Sequence, residues 1–264
     1  MNSAAALARD LVHVKVCGIA QLSDAQAALS FGATMLGFII GNERVQERLA
    51  DAASDKRGGR AFGPKSRLSQ EAQTVVFNHR HVLLESIAFI SRELDKSTER
   101  VGVFYNTSRE FILRSFETGN LTGVQLHGDE SVEFVAKLRS DLGSEVFLLK
   151  AVETSHAAGR VQEHQDYMSS CSALLFDVPK AGPSGQKVLD LSCLKKMRPA
   201  YPFFIAGGLS QSNIEEFLVE LKPHGIDVCS AVEESPGRKD PHKLRDFFRA
   251  VQRARHASLV IKRR

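Results

Sequence analysis

The sequence predicts an α/β protein of the closed (βα)8 type, a TIM barrel of eight parallel strands ringed by helices. Short β-branched and apolar runs alternate with helical stretches along the chain, the pattern of a parallel sheet. Eight such units occupy 264 residues, and eight in about 250 residues fit a closed barrel. No GxGxxG follows the first strand, which counts against the structural alternative, a doubly wound open sheet. The chain is therefore expected to be one domain spanning 1–264.

In His13-Val14-Lys15-Val16-Cys17, two valines alternate with other residues, which is strand spacing. A helix is expected near Asp24–Phe31, then a second strand over Thr34–Ile40. Residues 42–63 are rich in charge, carry Gly58-Gly59 and hold few large apolar side chains, so they read as an inserted flexible loop. Ser69 is placed to cap a helix reaching roughly Leu94. The third strand is Val101–Tyr105, followed by a helix at 109–117. The fourth is Gly123–His127, with a helix over Val132–Leu142. The fifth is Val146–Val152, with a polar helix near 157–168. The sixth is Ser172–Asp177, and a Gly- and Pro-containing loop leads from it to a helix near Leu191–Met197. The seventh is Pro202–Ala206, ending in Gly207-Gly208, with a helix at 213–221. The eighth is Gly225–Cys229, and the last helix is Pro241–Arg255, before a short basic tail at about 256–264.

Composition narrows the function classes. The net charge is +4, and the C-terminal cations Arg253, Arg255, Lys262, Arg263 and Arg264 account for the excess. The body is near neutral, so no nucleic-acid footprint is expected. No apolar run reaches about 18 residues, so no membrane span is expected. The cysteines Cys17, Cys171, Cys193 and Cys229 are far apart. They lack CxxC or metal spacing, so they read as reduced thiols of a cytoplasmic protein with no metal site.

In a TIM barrel the active site lies at the C-terminal ends of the strands. The residues found there are Cys17, Asn106, His127, Asp177, Gly207-Gly208 and Ser230. Alternation points Gln125 and His127 inward while Val124 and Leu126 face the helices; it likewise points Lys15, Cys17 and Asp227 inward. Strands one and eight are neighbours in a closed barrel, so Lys15 and Asp227 are expected to pair. Lys15 lies about 6.6 Å below Cys17 on one face, where a cation lowers a thiol pKa. A lone cysteine at a strand end is more often a small buried hydrophobe. Gly207-Gly208 exposes backbone N–H groups, and Ser235-Pro236-Gly237 reads as the start of a short extra helix. Together they suit a phosphate site.

The segments Val14-Lys15-Val16-Cys17-Gly18-Ile19, Val124-Gln125-Leu126-His127-Gly128, Leu174-Leu175-Phe176-Asp177, Ala206-Gly207-Gly208-Leu209 and Asp227-Val228-Cys229-Ser230-Ala231-Val232-Glu233, with Ser235-Pro236-Gly237-Arg238-Lys239-Asp240, resemble phosphoribosylanthranilate isomerase of tryptophan biosynthesis. The likeness runs from about residue 12 to residue 250 in order. It implies a TIM barrel carrying out an Amadori rearrangement of N-(5-phosphoribosyl)anthranilate, without cofactor or metal. It implies Cys17 as general base, Asp177 as general acid, and Arg67 on the anthranilate carboxylate. His127, Gly207, Gly208, Ser230 and Ala231 then contribute to substrate and phosphate binding. The implied partner is the small phosphorylated substrate; association with another pathway enzyme is left open, as is the choice between monomer and homodimer. Ala231 stands where the family usually has glycine; if that position needs a positive φ or close phosphate approach, the methyl costs about 1 kcal/mol or more. That departure and the insertion at 42–63 motivate an alternative, an impaired barrel that only binds a phosphorylated ligand. Another sugar-phosphate isomerase on the same scaffold is a third reading.

Overall fold

A computed structural model describes residues 12–55, 76–77, 80–153, 161–177, 180–181, 186–187, 191–197 and 201–262. Eight parallel strands form its centre: β1 (His13–Cys17), β2 (Met35–Gly41), β3 (Glu99–Phe104), β4 (Gly123–Leu126), β5 (Phe147–Glu153), β6 (Ala173–Asp177), β7 (Phe203–Ala206) and β8 (Gly225–Val228). Each pairs with its sequence neighbours, and β1 pairs with both β2 and β8, which closes the barrel. The helices are α1 (Leu22–Phe31), α2 (Glu43–Asp55), α3 (Leu84–Arg92), α4 (Arg109–Thr118), α5 (Val132–Leu142), α6 (Val161–Met168), α7 (Leu191–Met197), α8 (Ile214–Leu221) and α9 (Pro241–Lys262).

The period of two in the strands sorts their side chains into two cores. Met35, Val101, Phe147, Leu149, Ala151, Ala173, Leu175, Phe204 and Ala206 fill the barrel interior. Val14, Val16, Phe38, Val124, Leu126, Phe176, Ile226 and Val228 face outward and pack with the helices. Ser108 and Ser131 cap α4 and α5, accepting from Phe111 N and Phe134 N. These hydroxyls take up N–H groups that a helix start leaves unpaired.

Four expectations are corrected. Residues 43–55, expected within a flexible loop, form α2. Asn42 Oδ1 accepts from Val45 N at its start, and Leu49 is fully buried. Gln46 donates to Ile40 O and Val82 O and accepts from Leu84 N. One leucine and one bridging amide thus anchor a helix whose charged surface hid it. The remainder of the expected insertion, 56–63, lies outside the described residues.

The long helix expected from Ser69 is α3, which begins only at Leu84. Before it, Val76–Phe77 and His81–Val82 pair antiparallel, as β-branched and aromatic residues favour. Ser69 itself is outside the described residues. Ser235-Pro236-Gly237 does not start a helix. It turns the hairpin between Glu233–Ser235 and Arg238–Lys239, with Gly237 at φ 82°, while a 3-10 turn forms at Ser230–Val232. Finally, α9 continues to Lys262, through most of the expected tail, because no glycine or proline follows Pro241 to stop it.

Candidate active site

Cys17, His127, Asp177, Gly207, Gly208, Ser230 and Ala231 line one cavity of about 1010 Å³ at the C-terminal mouth of the barrel. These residues come from β1, β4, β6, β7 and β8 or the loops after them, so separate strands deliver separate groups to one space. Arg67 lies outside the described residues. Asn106 does not join the cavity lining. It takes a left-handed φ of 44°, donates its backbone N–H to Glu130 Oε1, and accepts from Asp129 N. It is a brace for the loop after β4.

Lys15 and Asp227 are paired in register on β1 and β8, as alternation predicts. Their Nζ–Oδ2 distance is 2.9 Å, with the lysine side chain fully buried. Burial alone would push the Lys15 ammonium toward neutrality, but Asp227 and the adjacent Cys17 thiol outweigh it and hold its pKa above the ordinary value. Cys17 goes the opposite way from its sequence-based expectation. Burial pushes its thiol up, and the neighbouring Lys15 cation offsets this only in part.

The site also uses a glycine to which sequence reading assigned no role. Gly37 on β2 sits beside Cys17 in register. A methyl group there would come within 2.7 Å of Lys15 Nζ and 2.8 Å of Cys17 Sγ. Such contacts are too close for real side chains, so Gly37 makes the room in which lysine and thiol sit together.

Asp177 and His127 meet across the mouth, with His127 Nε2 3.2 Å from Asp177 Oδ2. Gln125 Nε2 lies 2.8 Å from His127 Nδ1. After the neighbouring strand β7, Gly207 and Gly208 take positive φ of 81° and 71°, which places them in the left-handed region that favours glycine. Asn213 braces this loop, donating to Gly208 O and accepting from Ser210 N. Ala231, in the 3-10 turn, is not among the residues with positive φ. The condition of a positive φ is not met, so its methyl imposes no left-handed strain.

Beneath the phosphate-loop candidates lies a buried ionic cluster. Glu233 accepts from Arg80 Nη2 at 2.6 Å and from Lys239 Nζ at 3.0 Å. Lys239 Nζ also donates to Cys17 O at 2.6 Å. Burial opposes ionisation of Glu233, but the bonds from Arg80 and Lys239 win and keep its pKa below the usual carboxylate range. Arg80 joins the segment before α3 to the loop after β8, and it lines the cavity itself. Sequence reading missed it because its partner is 153 residues away. Among the described residues no cluster of His, Cys, Asp and Glu could hold a metal ion. No helix among them is long and apolar enough to cross a membrane.

Comparison with known proteins converges on one family. A family model described as N-(5'phosphoribosyl)anthranilate (PRA) isomerase matches residues 50–250. The N-(5'-phosphoribosyl)anthranilate isomerase of Acaryochloris marina is 32% identical over 91% of this chain and 98% of its own length. A solved structure of monomers generated from the dimeric phosphoribosylanthranilate isomerase of Thermotoga maritima aligns with TM-score 0.66 at 28% identity. It covers 92% of this chain and 99% of that one. Another phosphoribosyl anthranilate isomerase, in complex with reduced 1-(o-carboxyphenylamino)-1-deoxyribulose 5-phosphate, aligns with TM-score 0.66 at 26% identity. Its coverage is also 92% of this chain and 99% of that one.

Proposed function

The chain belongs to the N-(5'-phosphoribosyl)anthranilate isomerase family, and from that premise we propose how its own residues carry the reaction. The activity is the Amadori rearrangement of N-(5'-phosphoribosyl)anthranilate to 1-(2-carboxyphenylamino)-1-deoxyribulose 5-phosphate, in tryptophan biosynthesis. The observation that carries the assignment of roles is the placement of a thiol and a carboxyl group on strands across one cavity, Cys17 on β1 and Asp177 on β6.

Asp177 is the general acid. It gives a proton to the furanose ring oxygen as the ring C–O bond breaks and the anilino nitrogen lone pair forms the C=N bond. Cys17, as thiolate, then takes the proton from C2, and the C–H electron pair forms the enolamine. Proton gain at C1 and loss from the C2 hydroxyl give the ketone. The two groups act from opposite walls, so neither need move between steps. Gly207, Gly208, Ser230 and Ala231 meet the phosphate with backbone N–H groups and the serine hydroxyl. His127 contacts the substrate beside Asp177, and Arg67 meets the anthranilate carboxylate. The whole of 1–264 works as one domain. We take the homodimer of the Thermotoga maritima relative as the arrangement to test first for this chain.

Two predictions arise here. A buried thiol with a raised pKa supplies more base as pH rises. The kcat/KM profile should therefore keep climbing past the ordinary thiol value of about 8.5. A plateau reached below pH 7 would remove Cys17 as a thiol with raised pKa acting as base. Ala231→Gly should leave KM within about threefold, because there is no positive φ to relieve, and should lower stability by about 0.5–1 kcal/mol through backbone entropy. A large gain in affinity would mean that the methyl obstructs phosphate.

The reading is tested by complementation. A bacterium lacking its own isomerase should grow without tryptophan when it carries this chain, and should not when it carries the Asp177→Asn form. No growth despite abundant soluble wild-type protein would favour the alternative, a barrel that binds a phosphorylated ligand without converting it.

A further inference from the structure

Gln125 is a polar side chain directed into the barrel interior. It lies on β4 between Val103 of β3 and Leu149 of β5, and it is only 1% exposed. Its amide nitrogen is 2.8 Å from His127 Nδ1, while its Oε1 is buried without a hydrogen-bond partner. An unpartnered buried acceptor costs free energy. A carboxamide NH₂ can only donate. His127 Nδ1 therefore accepts, and the proton of the neutral ring is on Nε2, which faces Asp177 Oδ2 at 3.2 Å.

We propose that Gln125 is a positioning residue that holds His127 in its Nε2–H tautomer and so keeps the acid proton on Asp177. With Nε2–H directed at Oδ2, that oxygen accepts a hydrogen bond and the carboxyl group can still carry its transferable proton. In the other tautomer the Nε2 lone pair would face Asp177. It would draw the proton onto the imidazole and leave a carboxylate, which cannot protonate the ring oxygen. A histidine whose second nitrogen is fixed by a neighbour is a general way of choosing the tautomer. Gln125 reaches the lining of the same cavity, and in this account it acts through His127.

The proposal rests on Asp177 as the acid, and the two can fail separately. The test is ¹⁵N NMR of the histidine rings in the full-length protein, with His127 assigned by its loss in His127→Asn. Wild type, Gln125→Met and Gln125→Glu are compared, with kcat and KM measured on each. Wild type should show Nε2 protonated and Nδ1 bare. Gln125→Met should populate the Nδ1–H form and lower kcat by about 10-fold or more, part of the 10²–10⁴-fold that positioned proton transfer contributes, while KM stays within about threefold. Gln125→Glu, whose carboxylate only accepts, should move the proton onto Nδ1 more completely. Wild-type protein with its proton on Nδ1 would overturn the proposal even if neither variant folded. So would variants with an unchanged tautomer, or a changed tautomer at full kcat. Full turnover by Asp177→Asn would instead remove the acid assignment, whereas the tautomer of unliganded protein answers for Gln125 alone.

Discussion

Asp177→Asn should lower kcat by about 10²–10⁴-fold, the range that a positioned general acid contributes, with little change in KM. Asp177 ends β6 and is 9% exposed, so an amide of the same shape fits its space. The amide oxygen can still accept from His127 Nε2, as Asp177 Oδ2 does at 3.2 Å. What the variant loses is a transferable proton, so the cost falls on the chemical step. Cys17→Ser should fall by a comparable factor, about 10²–10⁴-fold, because an alcohol is far harder to ionise than a thiol. Its hydroxyl is smaller than the thiol and enters the same pocket between Lys15 and Gly37. Steady-state turnover of purified proteins with unchanged circular dichroism separates these losses from misfolding. Retention of more than a tenth of wild-type kcat by either variant would remove that residue from its role.

Lys15→Met should be the most costly single change to stability. Asp227 is buried at 8% exposure, one of its oxygens has no hydrogen-bond partner, and Lys15 is the cation on the other. Removing one member of a buried pair leaves an uncompensated charge, at a cost of about 3–5 kcal/mol. The same change removes the cation that restrains the Cys17 thiol, so burial acts on it unopposed by Lys15. The rise of kcat/KM with pH should therefore move to still higher pH. Denaturant unfolding gives the first effect and the pH profile the second. Lys15→Met/Asp227→Leu should recover much of the stability and not the rate. A single variant as stable as wild type would show the pair to be worth nothing net.

The barrel was legible because its strands carry a period of two that survives in every neighbour. Lys15 opposite Asp227, and Gln125 below His127, both follow from that alternation once β1 and β8 are taken as adjacent. Helix α2 was not legible, because its burial depends on one leucine and on Gln46 reaching two carbonyls of other segments. Such bridges leave no periodic mark. The hairpin at Glu233–Lys239 was misread for a similar reason, since Ser-Pro-Gly suits a helix start and a turn alike. Cys17 illustrates a failure of magnitude rather than of placement. Sequence located both thiol and cation, but only the fold shows the thiol buried at the cavity wall, so that desolvation outweighs the lysine. Arg80 and Lys239 gain their roles from Glu233, which gathers segments from distant parts of the chain.

The most direct measurement is turnover of N-(5'-phosphoribosyl)anthranilate, formed in situ from anthranilate and phosphoribosyl pyrophosphate by a separate transferase. The chain contains no tryptophan, so loss of substrate fluorescence is followed against a low protein background. Rapid loss with wild type, abolished in both Cys17→Ser and Asp177→Asn, is the predicted result. No loss with folded wild-type protein that still binds the reduced product analogue would contradict it, and would mark a barrel that retains the ligand site without the reaction.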